Sequence, residues 1–477
     1  MKSSYKYLDL TERAGGHGGR TGLFDIGGNR PGAPHLCRCA TMRGNGRLMG
    51  LLRLARYLIV YCLIAGPLLT GLARAQDFTY TNTNGTITIT GYIGPGGNVA
   101  IPDTLSGLPV TSIGDQAFSY LTNLTGVTIP DSVTNLGNAA FLACTNLALL
   151  SIGKGITTIK GGSDTSWFGT FAGCTSLTNL TIPGTVTNLG DGVPTKGGSL
   201  GAFAGCYGLT NVILEDGVAY IGDGTFASCT SLMRVTIPDS VTTVGDFAFN
   251  YCEALNEVKI GKGVTQLGPG MGYAFAGCEN LTSILIPANV TNLGNYTFEE
   301  CVALANLAIE DGVARIGNHT FHYCQSLTNV TLPASVTAID DEAFAYCTNL
   351  EGVYFKGNAP ATNPPPWGGG VFYYSTNVTV YYLPGTTGWG ETFAGRPTML
   401  WNPQAQTADA AFGVQQNQFG FNVTGTPNIP LVVEASTDLA AASWLSLQSC
   451  TLTNGLIYFS DPQWTNHPRR FYRIRSP

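Results

Sequence analysis

The side chains with the most evident capacity for chemistry in this sequence are cysteines, and nine of them share one phrase. Cys144, Cys174, Cys206, Cys229, Cys252, Cys278, Cys301, Cys324 and Cys347 each stand three residues after a phenylalanine. Thiols in such number could form disulfides or hold a metal, and their spacing favours neither. A zinc site needs ligands that converge, commonly as pairs at short spacing, whereas here each cysteine comes singly. Equivalent positions of successive repeats carry parallel rather than converging Cβ vectors, which disfavours bridging, although the separation of neighbours does not forbid it. Leu121 takes the cysteine's place in the first unit. The slot is therefore read as buried and apolar, and the thiol as a small hydrophobe. Cys450 lies outside the series, with no evident partner.

The remaining reactive residues point no further. His319 and His322 form a close pair on a Thr-Phe-x-x-Cys turn, but a metal would need a third ligand that the sequence does not place. They are read, with His467, as surface histidines. Gly153-Lys154-Gly155 and Gly261-Lys262-Gly263 lack the Gly-x4-Gly-Lys-Ser/Thr frame of a phosphate loop and are read as turn variants. Glu215-Asp216 and Glu310-Asp311 are read as solvated turns. With no H-E-x-x-H and no G-x-S-x-G, the sequence assigns no catalytic residue, no cofactor and no metal.

The elements that carry these side chains are set by a repeat. Its phrase is Ala-Phe-x-x-Cys-x-x-Leu-x-x-Val-x-Ile-Pro-x-x-Val-x-x-Val/Ile-Gly, and its phenylalanines run from Phe118 to Phe344 at spacings of 23, 30, 32, 23, 23, 26, 23, 23 and 23 residues. A unit this short cannot bury its apolar face alone, so the period predicts a solenoid of about ten coils. Between Cys229 and Cys252, Val235-x-Ile237 is a short strand ended by Pro238, with Thr236 pointing outward. Val241-x-x-Val244-Gly245 turns the chain, with Gly245 expected at positive φ. Ala248-Phe249-x-x-Cys252 returns as a turn or short helical piece. Coils stacked at about 4.8 Å would make a rod on the order of 50 Å long.

Units such as Ile221–Cys229 and Cys229–Val241 resemble the BspA-type leucine-rich repeat of bacterial surface and secreted proteins and some protists. The resemblance covers about residues 99–356. It implies a curved right-handed solenoid with a role in adhesion or protein binding, and it implies no catalytic residues.

A longer period overlies the first. After successive strands the chain reads Pro, Gly-Lys-Gly, Pro, Glu-Asp-Gly, and then the same order again, as if a block of four coils had duplicated. The unit after each Gly-Lys-Gly is lengthened. The two longest units are adjacent, with insertions around Lys160–Gly169 and Gly190–Gly201, and should form one protrusion. Such insertions often mark a binding region, and Trp167, Phe168 and Lys196 are its candidate contacts. A second candidate surface is the outward strand row, represented by Thr128, Thr181, Ile213, Thr236, Lys259, Leu285 and Thr331. It could equally be a plain solvated face.

The expected organisation is an N-terminal extension and signal peptide over 1–75, an N-terminal cap over 76–98 and the solenoid over 99–350. A C-terminal cap over 351–401 and a small all-β domain over 402–477 follow. Arg53 and Arg56 precede an apolar run, and Ala73-Arg74-Ala75 closes it, which predicts export with cleavage after Ala75. Membrane association would arise only through that segment if it stays uncleaved. Residues 76–477 hold 13 Lys and Arg against 27 Asp and Glu, an acidic balance that argues against nucleic acid and anionic membrane as partners. Phrases around Glu434–Leu439, Trp444, Phe459–Pro462 and Arg469–Arg473 resemble a C-terminal module common in exported proteins of some environmental bacteria. Surface retention or sorting is the role that likeness suggests. The sequence thus predicts a mainly β, secreted or cell-surface binding protein whose partner is an extracellular protein or glycan. The alternatives are a structural spacer that presents the C-terminal domain, and an enzyme with its activity in that domain.

Overall fold

A computed structural model describes residues 75–162, 168–191, 201–363, 369–440 and 444–477. Each repeat contributes two short strands. The first is the expected Val-x-Ile strand, for example Arg234–Thr236. The second, Thr243–Val244, falls where the sequence reading placed only a turn. Second strands line up as one parallel sheet of nine, from Thr158–Lys160 to Ala361–Asn363. First strands form shorter parallel sheets that succeed one another along a different side of the coil. The result is a β-solenoid of about twelve turns. No described helix is long and apolar enough to cross a membrane.

The interior is a column of aromatic rings. Phe118, Phe141, Phe171, Phe203, Phe226, Phe249, Phe275, Phe298, Phe321, Phe344 and Phe372 stack in order, with centroids 4.8–6.0 Å apart. That spacing is the favourable offset range for aromatic pairs, and burying each ring contributes about 1.5–3 kcal/mol. Phe372 is an eleventh rung. Its unit, Val371-Phe372-x-x-Ser375, escapes the sequence pattern because serine replaces cysteine. The segment expected as a cap therefore continues the stack: Gly352–Phe355, Thr379–Tyr382 and Arg396–Leu400 stay in parallel register with Asn329–Leu332. At the other end, Phe78–Thr83 and Thr86–Tyr92 pair as an antiparallel hairpin, and Tyr92 stacks on Phe118 at 5.6 Å.

Two tight turns flank each phenylalanine, and no helical piece forms there. In most coils the residue two before the ring and the residue two after it both adopt positive φ, as at Phe247 and Tyr251, or at His319 and Tyr323; around Phe171 and Phe203 only the second does, at Gly173 and Gly205. Gly245 does not supply positive φ. A Cβ there would lie 2.8 Å from the backbone nitrogen of Asp223, so glycine is required by the close approach of the preceding coil. The same cause explains Gly-Lys-Gly. A Cβ on Gly155 or Gly263 would meet the carbonyl of Asp131 or Asp239 in the coil before, while those aspartates accept the Lys154 and Lys262 N–H groups at 2.7 and 2.8 Å. Glu215 and Glu310 likewise accept the N–H groups of Gly184 and Ala288, so the four-coil period records which turn caps which.

Beyond the coils, two antiparallel sheets make the C-terminal domain. One joins Gln404–Ala405, Gly413–Gln415, Gln418–Thr424 and Leu456–Asp461, and the other joins Leu445–Thr451, Pro430–Ser436 and Phe471–Arg475. Three of the four clustered arginines turn inward to buried carboxylates. Arg470 meets Asp461 at 2.7 Å, and Arg473 and Arg475 meet Glu434 at 2.7 and 2.6 Å. They brace the domain.

Candidate functional site

The outward strand positions form a ruled surface. Thr181 pairs with Ile213, Thr236 with Lys259 and Leu285 with Ala308, while Thr128 lies between Ala100 and Ser151. Thr128, Thr181, Thr236 and Lys259 are exposed, and Ile213 and Leu285 each expose 51% of their surface. These two aliphatics, on a row shared with Thr128, Thr181, Thr236 and Lys259, are open to contact. Thr331 differs: it is half-buried, with its hydroxyl 3.4 Å from that of Ser476.

Further along the same row the face is already occupied. Thr331 pairs with Tyr354, Tyr354 with Tyr381, and Tyr381 with Met399. Both tyrosines are outward by register yet only 4% and 7% exposed. They belong to the apolar core of the C-terminal domain, with Phe419, Leu431 and Tyr472. Trp401 donates from its indole to the carbonyl of Pro430 at 2.9 Å. The C-terminal domain is thus seated on the strand face of the last coils.

Trp167 and Lys196 lie outside the described residues. Phe168 is 38% exposed and borders a shallow groove of about 260 Å³, with Tyr120, Ala143, Gly173, Gly205 and Tyr207 along it. The groove exists because successive coils place small residues on this turn edge.

The cysteine slot proves polar as well as buried. Every thiol of the series is free and donates to the carbonyl of the phenylalanine one coil earlier, from Cys144 to Phe118 at 3.0 Å through Cys347 to Phe321 at 3.1 Å. Ser375 makes the same bond to Phe344 at 2.7 Å. Cysteine is a small hydrophobe that also satisfies a buried acceptor. Burial pushes Cys144, Cys252 and Cys347 up to about 12, so these thiols stay protonated and inert near neutrality.

The turn edge near the C-terminal end brings together residues that the sequence left apart. Nε2 of His319 is 3.2 Å from Glu342, Nδ1 of His322 is 3.1 Å from Glu299, and Nε2 of His322 is 3.8 Å from Glu342. Burial lowers the pKa of His319, and Glu342 opposes that shift. Tyr296 stacks on His319 at 4.7 Å, and Tyr323, Tyr346 and Tyr374 stack on one another at 4.5 and 4.7 Å. Glu342, one full coil after His319, is the carboxylate that faces both imidazoles. The signal was present in the repeat frame, since Glu299 and Glu342 each stand 23 residues from a histidine partner.

The sequence matches the model of the BspA type leucine rich repeat region in six copies, over residues 98–196, 198–271 and 271–379. Among solved structures, it is similar to a leucine-rich repeat protein from Bacteroides ovatus at 23% identity, covering 65% of this chain and 94% of that one with a TM-score of 0.37. It is similar to a leucine rich cell surface protein from Faecalibacterium prausnitzii at 26% identity, with coverages of 64% and 93% and a TM-score of 0.36. The pneumococcal vaccine antigen PcpA is similar at 17% identity, with coverages of 66% and 94% and a TM-score of 0.40. No curated protein matches. The family match spans well over half of the sequence, and this chain belongs to the BspA-type leucine-rich repeat family.

Proposed function

We propose that this protein is a secreted or cell-surface binding module, without catalysis, that engages an extracellular protein or glycan through the open part of its strand face. One observation carries the reading: the outward row that leaves Ile213 and Leu285 half-exposed is the row that, at Tyr354 and Tyr381, buries a folded β-domain. A surface of the same pleat and register accepts protein packing within this chain. The apolar run from Tyr57 to Ala73, closed by Arg74 and Ala75, supports export; the run lies outside the described residues. The spacer alternative is less well supported, because the C-terminal domain sits on the last coils instead of standing off beyond them. The protrusion around Trp167 and Lys196 is a second contact region in this proposal.

The test is binding of the full chain to host or neighbouring cells, with Ile213→Asp and Leu285→Asp introduced together. Both side chains are exposed, so the fold should persist by circular dichroism while binding falls at least about tenfold, as for loss of central interface contacts. Unchanged binding would sink the strand-face reading. Deleting residues 160–169 and 190–201 tests the protrusion separately.

A further inference from the structure

We propose that the turn edge at His319, His322 and Glu342 is a binding site for a divalent transition-metal ion, with zinc the best fit. One ligand atom from each of these residues lies within 4.8 Å of the other two. The two Nε2 atoms are 3.2 and 3.8 Å from the same carboxylate oxygen, Oε2 of Glu342. Ligands placed at 2.0–2.2 Å around a tetrahedral zinc stand roughly 3.3–3.6 Å apart. The ion therefore fits with shifts of a few tenths of an ångström on those two edges.

The surroundings are those of a ligand set held in advance. Nδ1 of His322 faces Oε1 of Glu299 at 3.1 Å, an arrangement that keeps the proton on Nδ1 and leaves Nε2 to ligate. Tyr296 stacks on the ring of His319, and Tyr346 meets the ring of His322 edge-on at 5.2 Å, so neither imidazole can swing freely. His319 keeps its other ring nitrogen buried without a partner, a cost that is rare in native folds. All four polar side chains retain partial exposure, which gives an ion a path in. Two imidazoles with one carboxylate select zinc-like ions over calcium or magnesium, which prefer oxygen throughout. The set leaves a fourth tetrahedral position for water.

The experiment is titration of the full chain, kept reduced, with Zn²⁺ alone and with Co²⁺ alone as a spectroscopic probe. Co²⁺ should give a visible d–d band without the near-ultraviolet thiolate band that a cysteine site would show. His319→Gln, His322→Gln and Glu342→Gln should each weaken Zn²⁺ binding by at least about tenfold, and Glu299→Gln by about tenfold through loss of orientation. Zn²⁺ should raise the melting temperature of the wild type and not that of the double histidine variant. The proposal is overturned if the wild type gives no Co²⁺ band, or if the band and the Zn²⁺ affinity survive in the His319→Gln/His322→Gln protein. Should that double variant fail to fold, the partly exposed Glu342→Gln decides on the same readouts.

Discussion

Raising the pH should unfold this solenoid with unusual steepness. The nine thiols of the series are 0% exposed. Burial holds Cys144, Cys252 and Cys347 at about 12 against an ordinary value of 9.0, and pushes the other six up as well. A thiol with a raised folded-state pKa binds its proton more tightly in the native chain. Its contribution is complete below the unfolded value near 9 and is lost as pH climbs toward the folded value. Within that window each thiol removes about 1.4 kcal/mol per pH unit, so nine together remove roughly 12 kcal/mol per unit. A whole domain has about 5–15 kcal/mol of stability, which places unfolding within about one pH unit above 9. Far-ultraviolet circular dichroism against pH, in reducing buffer, reads the transition. Replacing Cys229, Cys252 and Cys278 by serine removes three of the nine titrating groups, and the pH slope of stability should fall by about a third. A slope unchanged by those substitutions, or an array still folded near pH 12, would refute the reasoning.

Two further outcomes follow from particular contacts. Cys347→Ser should be tolerated within about 1 kcal/mol, because Ser375 makes the equivalent bond one coil on, whereas Cys347→Ala should cost about 0.5–1.5 kcal/mol by removing one of the two hydrogen bonds to the Phe321 carbonyl, which keeps the N–H of Cys324; denaturant midpoints of the two variants compare them directly. Replacing Tyr354 and Tyr381 together by alanine removes two stacked rings, 4.6 Å apart, from beneath the C-terminal domain. Each such truncation costs about 3–5 kcal/mol, so the domain should undock, and limited proteolysis between residues 400 and 406 should accelerate while the upstream coils stay resistant.

Much of the fold was legible because a repeat states its own geometry. Val235, Ile237 and Phe249 recur at fixed offsets, and that recurrence alone requires stacked coils. It undercounted them where Ser375 stands for cysteine, since a pattern defined by one residue type misses its chemical substitute. It misjudged Gly245, because a glycine at positive φ and a glycine crowded by the backbone of the preceding coil look the same in a sequence. The strand row from Thr128 to Leu285 was placed correctly as outward, since alternation fixes which side chains leave the core. Thr331 and the tyrosines beyond it were not seen to be covered, because nothing local encodes where a downstream domain docks.

The sequence by itself determined the coil and the buried, apolar slot of its cysteines, for these depend on apolar residues spaced along one chain. Tertiary structure decided what the surface brings together. Stacking placed Glu299, His322, His319 and Glu342 on one edge across three coils, and it turned a histidine pair without a third ligand into a set of four groups. Its physical basis is the parallel strand register, which converts a separation of 23 residues along the chain into contact between neighbouring turns.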